Sequence, residues 1–228
     1  MLDKRLLAIA NLIRKGSYVC DVGTDHAYLP CYLVKEGITK QCVACDINEM
    51  PLQSAKEHIQ SYGFEAQIET ILSDGLKNVP SAKAQDIVIA GMGGELIAKI
   101  LQGVSYTKEK DKRFLLQPMT FVPYLRKYLC ENGYEILSEM PVIDKNKTYT
   151  ILCVAYTGVV KEPSALFLLV GKIPENQSEE AKIYIQRQYQ KQIKIAKSIE
   201  ESSEKKDKAQ QYYQIAFELK DLLNKKEG

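Results

Sequence analysis

The sequence predicts an α/β fold, in which a mostly parallel sheet with an antiparallel edge strand is followed by a C-terminal antiparallel helical hairpin. Short apolar runs alternate with segments of helical period through most of residues 1–160, which is typical of strand–helix–strand units. Two later apolar runs, joined by the polar turn 144–147, predict a β-hairpin at one edge of the sheet. After Gly158 glycines become rare and long helical periods begin.

The elements of the sheet region are predicted in chain order. The first helix has leucine and isoleucine at helical spacing and ends at Gly16, and later helices end at Gly37, Gly63 and Gly133. Helices are expected over residues 2–15, 28–36, 52–62, 95–101 and 124–132. Strands are expected over residues 18–22, 41–45, 66–72, 86–90, 113–116, 134–140 and 148–156.

The last part of the chain predicts two long helices. Apolar residues recur at helical spacing over residues 181–199 and again over 209–223, and the polar segment 200–208 separates the two runs. This pattern is typical of a short, coiled-coil-like hairpin. We therefore divide the chain into a sheet domain, residues 1–160, and a helical hairpin, residues 161–228.

Composition excludes some classes of protein. The 228 residues contain 45% hydrophobic and 26% charged side chains, as ordinary globular proteins do. There is no run of about 18 apolar residues, so no membrane span is expected. Six cysteines without a secretory signal predict reduced thiols and a cytoplasmic protein. The net charge of +2 is too small to indicate a polyanionic partner.

The first strand ends in a motif that predicts a ligand site. Residues 18–30 read YVCDVGTDHAYLP, so the strand ends near Asp21 and Gly23 permits a tight turn. A dinucleotide fingerprint would have further glycines where this chain has Asp25 and Tyr28, and the Asp25 carboxylate would repel a pyrophosphate. A ligand with an ammonium group and no phosphate, such as S-adenosylmethionine, fits better. A strand–turn–helix without a ligand is the structural alternative.

Three acidic residues follow three successive strands. Asp21 can meet an ammonium group, Asp46 can accept both hydroxyls of a ribose, and Asp74 can accept from the exocyclic amine of adenine. Gly75 beside Asp74 leaves room for the ring. Any one of these acids alone is more typical of a turn or a helix cap. Together they indicate a cofactor site, because open α/β sheets bind ligands at the carboxyl ends of their strands.

The sequence GMGG at residues 91–94 follows the fourth strand. Three glycines in four residues raise the entropic cost of folding the backbone, and a plain turn does not require so many glycines. We therefore expect a flat target ring to approach the backbone here, over Gly93, with Gln117, Pro118 and Met119 on the facing wall. A tight turn with positive φ is the alternative.

The few histidines and the CxxC pair do not predict a metal site. On a strand, Cys42 and Cys45 point to opposite faces, and the sequence has no second CxxC. His58 is expected on a helix surface without a role. His26 is the candidate for a contact with substrate or cofactor, because it lies in the predicted ligand turn.

A basic face is predicted on the first helix of the hairpin. Arg187, Lys191 and Lys194 lie together opposite the apolar stripe, and residues 181–199 include no acid. Rows of basic side chains on a helix neutralise RNA phosphates, so this face is a candidate RNA contact. A solvated face is the alternative.

Four motifs together resemble the bacterial tRNA (adenine-22-N1)-methyltransferases. They are CDVGTDHAYLP at residues 20–30, SDGL at 73–76, IAGMGG at 89–94 and LQP at 116–118. The resemblance covers essentially the whole chain, although the family often has asparagine where this chain has Met119. It implies a Rossmann-like class I methyltransferase fold, S-adenosyl-L-methionine as the methyl donor, and N1 of one tRNA adenine as the acceptor.

The motifs and the resemblance together assign the site. In the chemistry that they imply, Tyr28 stacks on the target base, backbone carbonyls of Ala90 and Gly91 accept from its exocyclic amine, and Asp25 or His26 helps to remove a proton. The expected catalytic residues are Asp25, His26, Tyr28, Gly91, Met92 and Gly93. The expected cofactor contacts are Asp21, Gly23, Thr24, Asp25, Asp46, Ile47, Asp74, Gly75, Leu76 and Ala90.

Two other functions remain open at this point. A small-molecule methyltransferase would share the cofactor turn without needing a basic hairpin, and a non-catalytic nucleotide- or RNA-binding module would tolerate loss of the GMGG geometry. The expected partner is tRNA, with no metal and no membrane. The sequence does not decide the oligomeric state, and a monomer is compatible with it.

Overall fold

One seven-stranded sheet and eight α-helices make up the computed structural model, which describes residues 2–145, 147–201 and 206–226. The strands are β1 (Val19–Val22), β2 (Cys42–Asp46), β3 (Ile68–Leu72), β4 (Asp86–Gly93), β5 (Arg113–Thr120), β6 (Tyr134–Asp144) and β7 (Lys147–Tyr156). The helices are α1 (Lys4–Ala10), α2 (Tyr28–Lys35), α3 (Glu49–Tyr62), α4 (Gly94–Gln102), α5 (Val122–Glu131), α6 (Ala165–Val170), α7 (Glu179–Glu201) and α8 (Lys206–Asn224).

The strand order is β3-β2-β1-β4-β5-β7-β6. Strands β1 to β5 pair in parallel, whereas β7 is antiparallel to both β5 and β6. The predicted mostly parallel sheet with antiparallel pairing at one edge is therefore confirmed. In the β-hairpin formed by β6 and β7, the later strand β7 pairs with β5, so β6 is the edge strand of the sheet.

Both faces of the sheet are buried, which explains why its central strands are continuous apolar runs. On one face, alternate strand residues pack against α4 and α5, and on the other against α1, α2 and α3. Cys45 belongs to the first of these cores and Cys42 to the second, as their spacing on a strand predicted.

Some element ends differ from the predictions. Helix α1 begins after Asp3, whose carboxylate accepts from the Leu6 N–H at 2.9 Å, and it ends at Ala10, well before Gly16. Strand β4 continues through Gly93, where a turn was expected, and β5 continues to Thr120. Their pairing shifts register around Met92, so the end of β4 is a bulged strand.

The C-terminal part is a helical hairpin, as predicted. Helices α7 and α8 pack around Ala181, Ile185 and Leu219, and this core also includes Val170 and Ile173 of the preceding segment. Residues 202–205 of the expected turn lie outside the described residues. In the described part of the chain, no helix is both long enough and apolar enough to cross a membrane.

A buried ion pair joins the sheet to the hairpin segment. The Arg126 side chain on α5 donates to both carboxylate oxygens of Glu139 on β6, at 2.9 and 3.0 Å, and neither side chain is exposed. Arg126 also donates to the Leu168 carbonyl at 2.8 Å, and Glu139 accepts from the Lys172 N–H at 3.1 Å. The network therefore fixes α6 and the following turn against the sheet.

Candidate active site

A cleft opens at the carboxyl ends of β1 and β4, where the strand order changes direction. Ligands bind at this switch point in open α/β sheets. The cleft encloses about 230 Å³. Its lining includes eight of the residues that the sequence assigned, namely Asp21, Gly23, Thr24, Asp25, His26, Tyr28, Ala90 and Gly91. It also includes Arg5 and Leu6 of α1, which the sequence did not single out.

Asp21, at the end of β1, is a buried carboxyl group in this cleft. Burial raises its pKa to about 6; the Thr24 hydroxyl opposes the rise and the Asp46 carboxylate adds to it. Among the described residues, no lysine or arginine forms an ion pair with Asp21. The site therefore favours a cationic ligand, which would stabilise the ionised form.

Thr24 and Gly23 complete the first turn. The Thr24 hydroxyl is buried beside the Asp21 carboxyl group, where its interaction lowers the pKa of that group. Gly23 has φ of +78°, and a side chain there would collide with the Met92 methyl group. Met92 therefore lies directly against the turn that was expected to hold the cofactor.

Asp46, at the end of β2, and Asp74, shortly after β3, do not line this cleft, and their surroundings differ. Asp46 accepts from the Asn48 N–H at 2.8 Å. Asp74 is exposed and pairs with Lys77 at 2.6 Å, which lowers the pKa of its carboxyl group. Next to Asp46, Ile47 is 60% exposed. Their roles in cofactor binding stay predictions.

Gly75 and Leu76 are packed into the protein. Gly75 has φ of +60°, and a Cβ there would come within 3.1 Å of Ile100. Leu76 is 1% exposed within the core on the α4 side of the sheet. Its side chain therefore packs the core, so that a ligand contact at this position would involve the backbone.

The GMGG segment is a bulge whose first glycine faces open space. Gly91 has φ of +79°, and no atom of the described residues, apart from its chain neighbours, lies within 4 Å of where its Cβ would be. A Cβ on Gly93 would instead meet the Thr120 hydroxyl at 3.2 Å, and one on Gly94 would collide with the Phe121 carbonyl at 2.5 Å. The open position is therefore Gly91, whereas the sequence interpretation placed it at Gly93.

Gln117 and Arg5 hold this bulge in place. Gln117 is fully buried, and its Oε1 accepts from the Gly91 N–H at 3.2 Å and from Arg5 Nη1 at 3.0 Å. Its Nε2 donates to the Pro118 carbonyl at 3.1 Å, which fixes the orientation of the amide. Arg5 lies 112 positions from Gln117 in the sequence. A basic residue in the first turn of a surface helix is typically solvated, so no local signal identifies Arg5 as part of the site.

The second half of the first turn carries the other assigned catalytic side chains. Asp25 is largely exposed, and its carboxylate lies 3.6 Å from Nε2 of His26. Tyr28 is 49% exposed, with its ring 5.2 Å from that of His26. His58 is half-buried, and its Nδ1–H donates to the His26 carbonyl at 2.7 Å. His58 therefore supports this turn, although the sequence interpretation gave it no role.

These observations fit a ligand that combines an ammonium group with a flat ring. The ammonium would pair with the buried Asp21 carboxyl group, and the Thr24 hydroxyl beside it is a further buried polar group of the cleft. The space beside Gly91 admits an atom close to the backbone. No group of three or more metal-ligating side chains occurs within residues 2–145, 147–201 and 206–226.

The three basic residues assigned to RNA lie on α7, remote in sequence from the cleft. Arg187, Lys191 and Lys194 are all exposed. Arg187 also donates to the Thr148 hydroxyl on β7, so it links the hairpin to the sheet. Their contact with RNA stays a prediction.

The fold and the cleft define a methyltransferase of the Rossmann-like class. A family model described as "Methyltransferase domain" matches residues 2–152. The Bacillus subtilis tRNA (adenine(22)-N(1))-methyltransferase is 33% identical over 186 residues, which cover 73% of this chain and 78% of that protein. The chain belongs to this tRNA (adenine(22)-N(1))-methyltransferase family.

Two solved structures are similar over almost the whole chain. Streptococcus pneumoniae Sp1610, in complex with S-adenosyl-L-methionine, is 31% identical with a TM-score of 0.81, covering 98% of this chain and 100% of that one. M. capricolum TrmK, in complex with S-adenosyl-homocysteine, is 28% identical with a TM-score of 0.81, covering 98% and 99%. The likeness includes the helical hairpin, because it extends well beyond the matched domain.

Proposed function

We propose that this protein transfers a methyl group from S-adenosyl-L-methionine to N1 of adenine 22 in tRNA. The observation that carries the proposal is the switch-point cleft, in which the buried Asp21 and the open Gly91 line one space, in a chain of this methyltransferase family. When bound, S-adenosyl-L-methionine would supply a methyl group made electrophilic by its sulfonium. N1 of an extruded adenine would form the new N–C bond as the S–C bond breaks, with S-adenosyl-homocysteine as the leaving group.

The strand ends hold the cofactor. Asp21 is assigned to the ammonium group, Asp46 to the ribose hydroxyls and Asp74 to the adenine amine. Each is a carboxylate at the carboxyl end of a neighbouring strand, so the three can span a ligand as long as a nucleoside with an amino-acid tail. Ile47, exposed beside Asp46, is assigned to the face of the adenine ring.

The bulge and the second half of the first turn hold the target base. The space beside Gly91 lets a flat ring approach the backbone, and the half-exposed Tyr28 ring offers a stacking surface. The Ala90 and Gly91 carbonyls are assigned to the exocyclic amine. Asp25 and His26 lie at the mouth of the cleft, where either can take a proton into solvent.

We also propose that residues 161–228 form a tRNA-contacting element and that the protein is cytoplasmic. The exposed basic residues of α7 support the first proposal, because tRNA presents a dense row of phosphates. Six buried free thiols support the second.

Methyl transfer from labelled S-adenosyl-L-methionine to total unmodified tRNA tests the proposed function. We expect label in tRNA, and none in a transcript whose adenine 22 is replaced by guanine. Label in small molecules but not in tRNA would indicate a small-molecule methyltransferase. Cofactor binding without transfer to either would indicate a non-catalytic binding module.

A further inference from the structure

A second groove lies beside the cleft, between helices α1, α2 and α3. It encloses about 570 Å³, more than the cleft itself. Its lining combines aromatic, apolar and basic side chains, among them Lys4, Leu7, Tyr28, Lys35, His58 and Tyr62. None of the residues assigned to the cofactor lines it, so it is distinct from the cofactor site.

Aromatic rings follow one another along this groove. The His58 ring lies 4.8 Å from that of Tyr28 and 5.1 Å from that of Tyr62, both edge-on. Tyr62 then stacks on Phe64 at 5.6 Å. Tyr28 and Tyr62 are 49% and 45% exposed, so part of each ring is accessible from the groove. Such a row is typical of platforms on which nucleic-acid bases stack.

The groove adjoins the target cleft. Tyr28 lines both spaces, and neighbouring residues of α1 divide between them, with Arg5 and Leu6 in the cleft and Lys4 and Leu7 in the groove. The bond from His58 to the His26 carbonyl ties the groove wall to the catalytic turn. The groove therefore lies next to the space proposed for the target base.

The charge at the groove suits a nucleic acid. Lys4 and Lys35 are exposed, and neither forms an ion pair with any described residue. Lys35 lies over the Tyr62 ring, with Nζ 5.9 Å from the ring centroid. Glu36 is the single acid among the described lining residues, so the lining has a net positive charge.

We propose that this groove binds the nucleotide next to the target adenine in the tRNA, with its base stacked on the Tyr62 side of the aromatic row and its phosphate near Lys35. The proposal rests on the proposed function, because it needs a target adenine in the cleft. It adds a base-binding site that holds the chain while the target base is extruded. Proteins that bind unpaired RNA combine aromatic stacking and basic side chains in this way.

A double-mutant cycle, which combines protein substitutions with abasic tRNA variants, tests this proposal with the full-length protein. The protein variants are Tyr62→Leu, which removes the ring, and Tyr62→Phe, which keeps it. The tRNA variants lack the base on the 5′ or on the 3′ side of adenine 22. Binding of each tRNA is measured with S-adenosyl-homocysteine present, and thermal melting confirms that each variant is folded.

Loss of the neighbouring base on one side should weaken binding to the wild-type protein and to Tyr62→Phe by roughly tenfold. The same loss should have little effect on Tyr62→Leu, which already lacks the stacking partner. Equal losses with Tyr62→Leu and with the wild type would overturn the proposal, since the base would then act elsewhere. If neither abasic tRNA binds the wild type more weakly, the groove holds no neighbouring base.

A second variant avoids any change in the aromatic packing. Lys35→Gln should lower the slope of log affinity against log salt by roughly one, and an unchanged slope would argue against a phosphate near Lys35. If the groove does not bind the neighbouring nucleotide, the wild type should still methylate adenine 22. Absence of that methylation would contradict the proposed function itself, so the two failures are distinguishable.

Discussion

At the scale of single residues, Asp21 shows how binding and stability conflict. Its carboxyl group is buried, no lysine or arginine of the described residues pairs with it, and burial raises its pKa to about 6. Its pKa in the unfolded chain is near the ordinary value of about 3.9. Ionised Asp21 therefore destabilises the folded state above pH 6, and this effect disappears as the pH falls through 4.

Asp21→Asn should raise the melting temperature of the ligand-free protein by a few degrees at pH 8, and the difference should shrink towards pH 4. The same change should weaken cofactor binding at pH 8, because the ammonium group loses its carboxylate. Calorimetric melts and titrations across this pH range measure both effects. If Asp21→Asn binds the cofactor as tightly as the wild type, Asp21 does not contact the ammonium group.

A second prediction at this scale concerns Gln117. Gln117→Met keeps the volume but removes the acceptor of the Gly91 N–H and of Arg5. We expect kcat to fall by roughly tenfold or more, because the bulge that positions the base loses its support. Cofactor affinity should change little, because Gln117 does not line the cleft. Met119→Leu, which removes only weak sulfur contacts with Arg5 and Gln117, is the matched control.

Kinetics of Gln117→Met equal to those of the wild type would mean that the bulge holds its shape without this amide. The local motifs were sufficient to place Asp21, Gly23 and Gly91 at the cleft, because each lies in a short run with an unusual composition. They were not sufficient for Arg5 and His58, whose partners are distant in the sequence. The orientation of the GMGG glycines was also unpredictable, because it depends on the register between β4 and β5.

At the scale of elements, the buried pair of Arg126 and Glu139 determines how the hairpin segment sits on the sheet. Glu139→Gln should lower the free energy of unfolding by about 3–5 kcal/mol, because it leaves the buried guanidinium without a counter-charge. Denaturant titration measures this loss. Glu135→Gln on the same strand is the matched control, since Glu135 makes only a partly exposed pair with Lys161 at 3.6 Å. Equal stability of the two variants would show that the buried pair does not hold the junction.

The basic face of α7 gives the second prediction at this scale. Lys191→Gln combined with Lys194→Gln should weaken tRNA binding and reduce the slope of log affinity against log salt by roughly two. Arg187 is left unchanged, because it also bonds to Thr148. Lys208→Gln combined with Lys220→Gln, which neutralises two lysines on α8, is the matched control. An unchanged slope in the α7 variant would mean that this face is merely solvated.

The limits of the elements were the part of the fold that the sequence predicted least well. Strands β4 and β5 extend beyond their apolar runs, because pairing continues through glycine, proline and polar residues at the edge of the cleft. Helix α1 ends earlier than its apolar spacing indicated, because the apolar stripe continues into turns that still pack on the sheet. An apolar pattern indicates which residues are buried, and burial continues beyond the last residue of a helix or strand.

At the scale of the whole molecule, the alternation of apolar runs with helical periods was enough to predict the parallel sheet, its antiparallel edge and the helical hairpin. The pattern carries this information because strands buried on both faces are continuous apolar runs. The place of β7 between β5 and β6, and the docking of the hairpin through Arg126, were not predictable, because both depend on contacts between distant segments.

The central claim is methylation of N1 of adenine 22 in tRNA by the cleft at the β1–β4 switch point. The most direct measurement is mass-spectrometric mapping of a single tRNA transcript after reaction with S-adenosyl-L-methionine, using the wild type and Asp21→Asn. We expect one methyl group, at N1 of adenine 22, with the wild type, and a much slower reaction with Asp21→Asn at pH 8. A methyl group at another nucleotide, or equal rates for the two proteins, would contradict this account.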